Sequence, residues 1–262
     1  MNTKPVNRRK GKASAASRSG PVTAETLRQN ALLAAIVGGP LENAVTKAGT
    51  LVDLAIREQI YQPDERISEV FFPIDSVLSV VARMTDGHMI EIGTIGREGT
   101  SGIPLILGAT STANECYCQV PGSAIKFSAK LFKTLSTDRR FRETLDRFVQ
   151  SYVNMLGQLV ACSHLHSVLE RCARWLLMSH DRVNSPEIRL TQEYLAMMLG
   201  AERSAVTIAA ATLQNSGLIR HTRGVITIIS RPGLEGVSCE CYDVARAQFS
   251  ALLPLAGGAN AN

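Results

Sequence analysis

The apolar positions change from helical to strand period between Leu190 and Ile229. Thr191 is a helix N-cap candidate, Glu193 places a carboxylate in the first turn, and Leu195, Met198 and Leu199 follow at helical spacing, so a short helix with one buried stripe is predicted. Gly200 can turn the chain with positive φ, and Ala196, four residues earlier, is small enough to let a second helix cross closely. That second helix is predicted to run from Glu202 or Arg203 to Ser216, with Ala205, Val206, Ala209, Ala210 and Leu213 inward, and to stop at Gly217. The period then shortens. Leu218 to Arg220 and Val225 to Ile229 read as strands joined across Thr222-Arg223-Gly224. Together these runs spell a helix-turn-helix followed by a wing. Between Arg203 and Arg231 stand four arginines, one histidine and no acid, a local charge suited to phosphates.

Upstream, Ala24 to Val37 has the pattern of one amphipathic helix, ended by Gly38-Gly39-Pro40. Short strands follow at Leu51–Ile56, Gln59–Tyr61, Val70–Pro73, Val77–Met84 and Met89–Ile95, the last two joined by a hairpin turn at Thr85–His88, and Ala124–Phe127 closes the series. Many short strands at this spacing predict a β-roll or barrel. A short helix over Ala129–Leu135 leads to a long one over 139–163. There Phe141, Leu145, Phe148, Tyr152, Met155 and Leu159 alternate four and three apart, and a second stripe, Val149, Val153, Leu156 and Val160, lies beside them. Two apolar faces need two partners: the chain's own roll, and the same helix of a second subunit, for which the stripe from Phe141 to Leu159 is expected to be the dimerisation seam. Further helices are expected over Val168–Arg182 and Leu234–Leu253, with a break at Asn184-Ser185-Pro186.

Composition bounds these readings. A chain of 262 residues that is 45% hydrophobic can bury a core in each of two domains. Six basic residues and no acid fall among the first twenty, against a net charge of +5 for the whole, so the folded body is close to neutral and the tail is expected to be disordered. No apolar run approaches a membrane span and no secretory leader is recognisable, which points to the cytoplasm and to no membrane partner. Cys116, Cys118, Cys162, Cys172, Cys239 and Cys241 form two C-x-C pairs and two single helical positions, which is no zinc-finger spacing. They are expected mostly to be small packing residues, with a redox or cluster role the lesser reading; His164 and His166 could bind a metal but are expected to be hinge or packing residues, and no metal site or cofactor is predicted.

The winged stretch resembles the C-terminal domain of the Crp/Fnr superfamily of transcription regulators. The likeness extends upstream through RCARWLLMSHDRV, Arg171 to Val183, and downstream to SCECY, Ser238 to Tyr242. It implies an α+β fold: a jelly-roll sensor domain related to cyclic-nucleotide-binding domains (24–138, after a basic tail over 1–23), a dimerisation helix (139–163) and a winged helix-turn-helix domain (164–262). It further implies a homodimer bound to palindromic double-stranded DNA, with RNA polymerase as a candidate partner. Arg203 matches the family arginine that reads guanine. Ser204 and Ile208 depart from the glutamate and second arginine common in the family, so a relative's operator does not transfer. Thr207, Thr191 and Gln192 complete the expected DNA-facing set, with Arg220 and Arg223 on phosphates.

The same resemblance questions the effector. Members that bind cyclic AMP hold its phosphate with an arginine in the segment matching Ile95–Val120, yet here no arginine lies between Gly99 and Val120, and Glu115 sits near the expected cationic position. A carboxylate there would repel a phosphodiester. Cyclic-nucleotide binding of the usual kind is therefore not expected, and Arg97, Glu98, Gly99 and Glu115 remain only a weak effector set, an exposed ion pair being the commoner reading of Arg97-Glu98. Residues 1–115 contain no cysteine, which disfavours the iron-sulfur branch. An enzyme is disfavoured because no catalytic triad, carboxylate pair or phosphate loop is present, and a cupin-like metal site lacks histidines. The remaining competitor is an adaptor that keeps the fold without binding DNA.

Overall fold

The computed structural model describes residues 20–183, 185–222 and 224–252. The basic tail up to residue 19, Arg223 in the wing and the C-terminal end lie outside the described residues.

Three short helices precede the roll: α1 (Ala24–Arg28), α2 (Ala31–Ala34) and α3 (Glu42–Ala48). The single helix expected over 24–37 is broken because Asn30 is a cap. Its buried carboxamide accepts from the Leu32 and Leu33 N–H groups and donates to the carbonyls of Pro73 and Gly99, both at 2.9 Å, so the turn is fastened to the roll.

The roll comprises β1 (Thr50–Leu54), β2 (Gln59–Tyr61), β3 (Glu69–Pro73), β4 (Val77–Arg83), β5 (Met89–Ile95), α4 (Ile103–Ile106), β6 (Glu115–Val120) and β7 (Gly122–Ser128). Its strands form two antiparallel sheets, ordered β1-β7-β3 and β2-β6-β4-β5. β6 has no alternating pattern because all six of its residues are buried. Phe72 anchors the core, meeting Phe127 and Phe132 edge to face at 5.2 and 5.9 Å.

After α5 (Ala129–Leu135) comes α6 (Arg139–Leu165), started by the Asp138 carboxylate accepting from the Phe141 N–H. The stripe expected to be the dimerisation seam packs on the roll instead, and Val149 and Leu156 of the second stripe pack there as well. Phe141, Leu145, Phe148, Tyr152 and Met155 are buried in the roll's core, with Leu159 packed beside them, so this stripe is consumed within the chain and is not free to be a dimerisation seam. Aromatic size decides it: Gly99 lies against the Phe148 ring and Gly93 against Tyr152, the roll having left room for both rings. The outward face carries Val153 and Val160, 55% and 62% exposed, with exposed Gly157 between them.

The C-terminal part contains α7 (Val168–His180), β8 (Glu187–Arg189), α8 (Gln192–Leu199), α9 (Arg203–Asn215), β9 (Ile219–Thr222), β10 (Val225–Ile228), α10 (Arg231–Val237) and α11 (Cys241–Leu252). Ser167 and Glu170 form a reciprocal capping box that starts α7. β8, three residues with only Ile188 buried, has too little pattern to be read, yet it completes a β8-β10-β9 sheet. The terminal helix expected from Leu234 is two helices, because Ser230 caps α10 and extended backbone at Ser238 ends it.

This C-terminal part docks on the roll. Val77, Val81, Tyr117 and Val120 of the roll share one core with Trp175, Tyr194, Leu195 and Met198. Tyr117 meets Tyr194 edge to face at 6.0 Å, and the Arg57 guanidinium lies over the Tyr194 ring.

Candidate nucleic-acid interface

Thr191 caps α8, its hydroxyl accepting from the Tyr194 N–H, and Gly200 ends that helix in the left-handed conformation, φ 56°. The turn is closed from below: a Cβ at Gly200 would stand 2.5 Å from Ile90 Cδ1 of the roll. Leu195, Met198, Val206, Ala209 and Leu213 are buried where α8 and α9 meet the rest of the C-terminal core. What remains outward on the first turns of α9 is Arg203, Ser204, Thr207 and Ile208, all exposed, Ile208 at 68%. The helix begins at Glu202, whose side chain makes no capping bond, so N–H groups of the first turn stay open to an external acceptor.

Gln192 links three elements. Its Oε1 lies 3.2 Å from the Thr207 hydroxyl of α9, and its Nε2 lies 3.4 Å from Nδ1 of His221 on β9. The Thr207 hydroxyl also donates to the Arg203 carbonyl at 2.8 Å, and the His221 N–H donates to Gln214 Oε1 at 2.7 Å. Recognition helix, first helix and wing are thereby held in one relative orientation. β9 and β10 pair antiparallel up to Thr222 and Val225, leaving a two-residue turn in which Gly224 has φ 77°. Arg220 is exposed on β9, while Arg223 lies outside the described residues. His221 and Gln214 were not expected in this network, since neither carries a periodic or capping signal.

The weak effector set is only partly brought together, Arg97 and Glu98 lining one cavity beside Arg182 while Glu115 lies apart. Glu98 does not pair with Arg97 in an exposed ion pair: it is buried and bound by Arg182 at the end of α7, and Arg97 Nη2 donates to the Arg182 carbonyl at 3.1 Å. Gly99 faces Phe148. Glu115 is elsewhere, on β6, where both its oxygens accept from Arg83 Nη2 at 2.9 and 3.1 Å. It lines a cavity of about 470 Å³ between roll and α8, with Arg57, Tyr117, Glu193 and Tyr194.

The cysteines also depart from expectation. All six are buried, but Cys162, Cys239 and Cys241 gather with His166 instead of packing singly, whereas His164 is exposed and stands apart. C-x-C spacing hid this because half of the set lies some seventy residues away in sequence; the legible signal was Cys162 and His166, four apart across the end of the long helix.

Residues 170–237 match the Crp-like helix-turn-helix domain family. The chain has the Crp/Fnr fold. Similar solved structures are FixK2 from Bradyrhizobium japonicum (TM-score 0.61, 16% identity, 73% of this chain and 98% of that one) and a CRP-family transcriptional regulator from Thermus thermophilus (0.60, 17%, 71% and 95%). A Crp/Fnr-family regulator from Eubacterium rectale is similar too (0.58, 17%, 76% and 97%). No curated protein matches in sequence. At these identities the structural likeness is one of fold, while the Crp-like domain is recognised in the sequence itself. Among the described residues no helix of this Crp/Fnr-fold chain is long and apolar enough to cross a membrane.

Proposed function

We propose that this protein is a cytoplasmic DNA-binding transcription regulator of Crp/Fnr type that works as a homodimer on palindromic DNA, without the usual cyclic-nucleotide effector. The observation that carries the reading is the outward, solvent-open start of α9, with Arg203, Ser204, Thr207 and Ile208 together beside a wing bearing Arg220. A helix presented in this way enters a major groove by its N-terminal end. Arg203 has the fork to take both acceptors of a guanine, Ser204 and Thr207 reach a base or phosphate, and Ile208 suits a thymine methyl. Thr191, Arg220 and Arg223 serve the phosphate backbone and carry no sequence information directly. In this reading residues 24–138 sense, 139–163 dimerise and 164–262 bind DNA, with RNA polymerase as a candidate partner. Two α9 helices related by a two-fold axis suit half-sites about 34 Å apart.

The effector part rests on charge. By the sequence resemblance Glu115 falls near the position where a cyclic nucleotide needs a cation, and Arg83, the arginine it meets, is already engaged by it. Selection of bound duplexes from a random pool, followed by sequencing, tests the main reading. Enrichment of a palindrome supports it, uniform salt-sensitive retention reduces it to non-specific binding, and no retention leaves an adaptor. Calorimetry with cyclic AMP tests the rest, and micromolar binding would overturn it.

A further inference from the structure

The end of α6 and the link between α10 and α11 meet at four side chains with metal-binding donors. Cys162 lies in the last turn of α6 and His166 is its C-cap, so both project to the same side. Cys239 lies in the link and Cys241 opens α11, with Glu240 between them. Cys162 Sγ is 3.5 Å from Cys239 Sγ, Cys241 Sγ is 3.5 Å from His166 Nδ1, and all four donor atoms lie within 4.8 Å of one another. The three cysteines form a small buried cluster of their own, apart from both apolar cores, so filling a core does not account for them.

We propose that Cys162, His166, Cys239 and Cys241 bind one Zn²⁺ in a closed tetrahedral site. A tetrahedron with Zn–S near 2.3 Å and Zn–N near 2.05 Å has sulfur–sulfur edges of about 3.8 Å and sulfur–nitrogen edges of about 3.6 Å, close to the separations seen here. Three thiolates and an imidazole are a soft donor set that favours zinc over magnesium or calcium. A disulfide between Cys162 and Cys239 would need the sulfurs at about 2.05 Å and would leave Cys241 and His166 without a role.

The surroundings fit a ligated state. His166 Nε2 lies 3.1 Å from a Glu240 carboxylate oxygen, which fixes the proton on Nε2 and leaves Nδ1 to face the sulfurs. Gln158 Nε2 lies 3.1 Å from Cys241 Sγ, as a donor to a thiolate would. Loading releases three thiol protons to solvent and leaves the site with one net negative charge, which Arg171 and Arg174 are close enough to offset. With four protein donors and no open position, the ion is structural. It ties the end of α6 to the start of α11 across the His166-Ser167 junction. The C-terminal helices are thus fastened to the long helix, whether or not the chain binds DNA.

The test is the metal content of the tag-free full-length chain, purified in reductant and analysed by mass spectrometry of the elements. About one zinc per chain is expected, retained by Cys172→Ser on α7 and lost by Cys239→Ser and Cys241→Ser. Because those variants could fail to fold, reduced wild-type protein stripped by a chelator is titrated with Co²⁺. Equimolar uptake with the visible bands of tetrahedral thiolate-bound cobalt, displaced by Zn²⁺, supports the site, and Glu240→Gln should weaken uptake roughly 10-fold or more. Folded, reduced wild-type protein that takes up no cobalt, or a Cys162–Cys239 disulfide in freshly isolated protein, overturns it.

Discussion

Arg182, just past α7, reaches Glu98 of the roll with Nη2 2.8 Å from Oε1, and both side chains are buried. The same guanidinium donates to Thr94 Oγ1 and to the Met178 carbonyl, while Glu98 also accepts from the Gly96 N–H. This pair joins the roll to the Crp-like half, so breaking it from one side leaves a buried charge. Arg182→Met or Glu98→Gln should each cost about 3–5 kcal/mol in urea unfolding, and the double replacement less than the sum.

Acid should act through the same pair. Burial would by itself raise the Glu98 carboxyl, but the charge and hydrogen bonds of Arg182 outweigh it and hold it below the ordinary value. A depressed folded-state value contributes stability that is complete above the ordinary carboxylate range and lost as pH falls through the lower one. Glu91 has the opposite sign. Burial raises it to about 7, although it accepts from Ser79 Oγ and Trp175 Nε1 and lies near Arg174 and Arg182. The folded chain keeps a proton there that the unfolded chain releases near pH 4.3, so stability should fall from about pH 4.5 to 7 and then level off. Glu91→Gln should flatten that slope and be more stable than wild type at pH 8 by on the order of 1–2 kcal/mol, measured by denaturation across pH.

Gly200 is constrained twice, by its positive φ and by Ile90 beneath it. Gly200→Ala should cost about 1 kcal/mol from backbone strain alone, plus the clash. Adding Ile90→Ala should recover the clash and leave the strain, which thermal unfolding of the two variants resolves.

What could be read in the sequence was whatever repeats over short distances. The Thr191 cap, the Gly200 turn and the strands of the β4–β5 hairpin are local, and they stand where expected. The misread faces and pairings involve partners distant in sequence, whereas the split helices turn on local caps at Asn30 and Ser230. Periodicity showed two stripes on α6 but not which one the roll would take, because that depends on Gly93 and Gly99 making room for Tyr152 and Phe148. Likewise Glu98 pairs eighty-four residues away with Arg182, and nothing about Arg97-Glu98 as neighbours foretells it.

If the proposed DNA-binding face is right, Arg203 on α9 and Arg220 on β9 should separate by kind of contact. Arg203→Ala should cost about 1–3 kcal/mol on the selected site and relax the base preference at one position. Arg220→Ala should weaken selected and unrelated duplexes alike and lower the salt slope by about 1. Fluorescence anisotropy over a salt series distinguishes them, and equal behaviour of the two variants would mean that Arg203 does not read a base.

The two faces of α6 should fail in different ways. Val153 and Val160 sit one heptad apart on the outward side with Gly157 between them, a geometry that lets a second helix approach closely. Val153→Glu combined with Val160→Glu should abolish a dimer, seen by light scattering after gel filtration, while leaving the unfolding midpoint of the monomer nearly unchanged, since neither side chain is buried in the chain. Phe148→Ala removes a fully buried ring from the roll's core and should cost about 3–5 kcal/mol. If the outward pair left the dimer intact, subunits would have to meet on some other surface, and the two-fold pairing of α9 would lose its support.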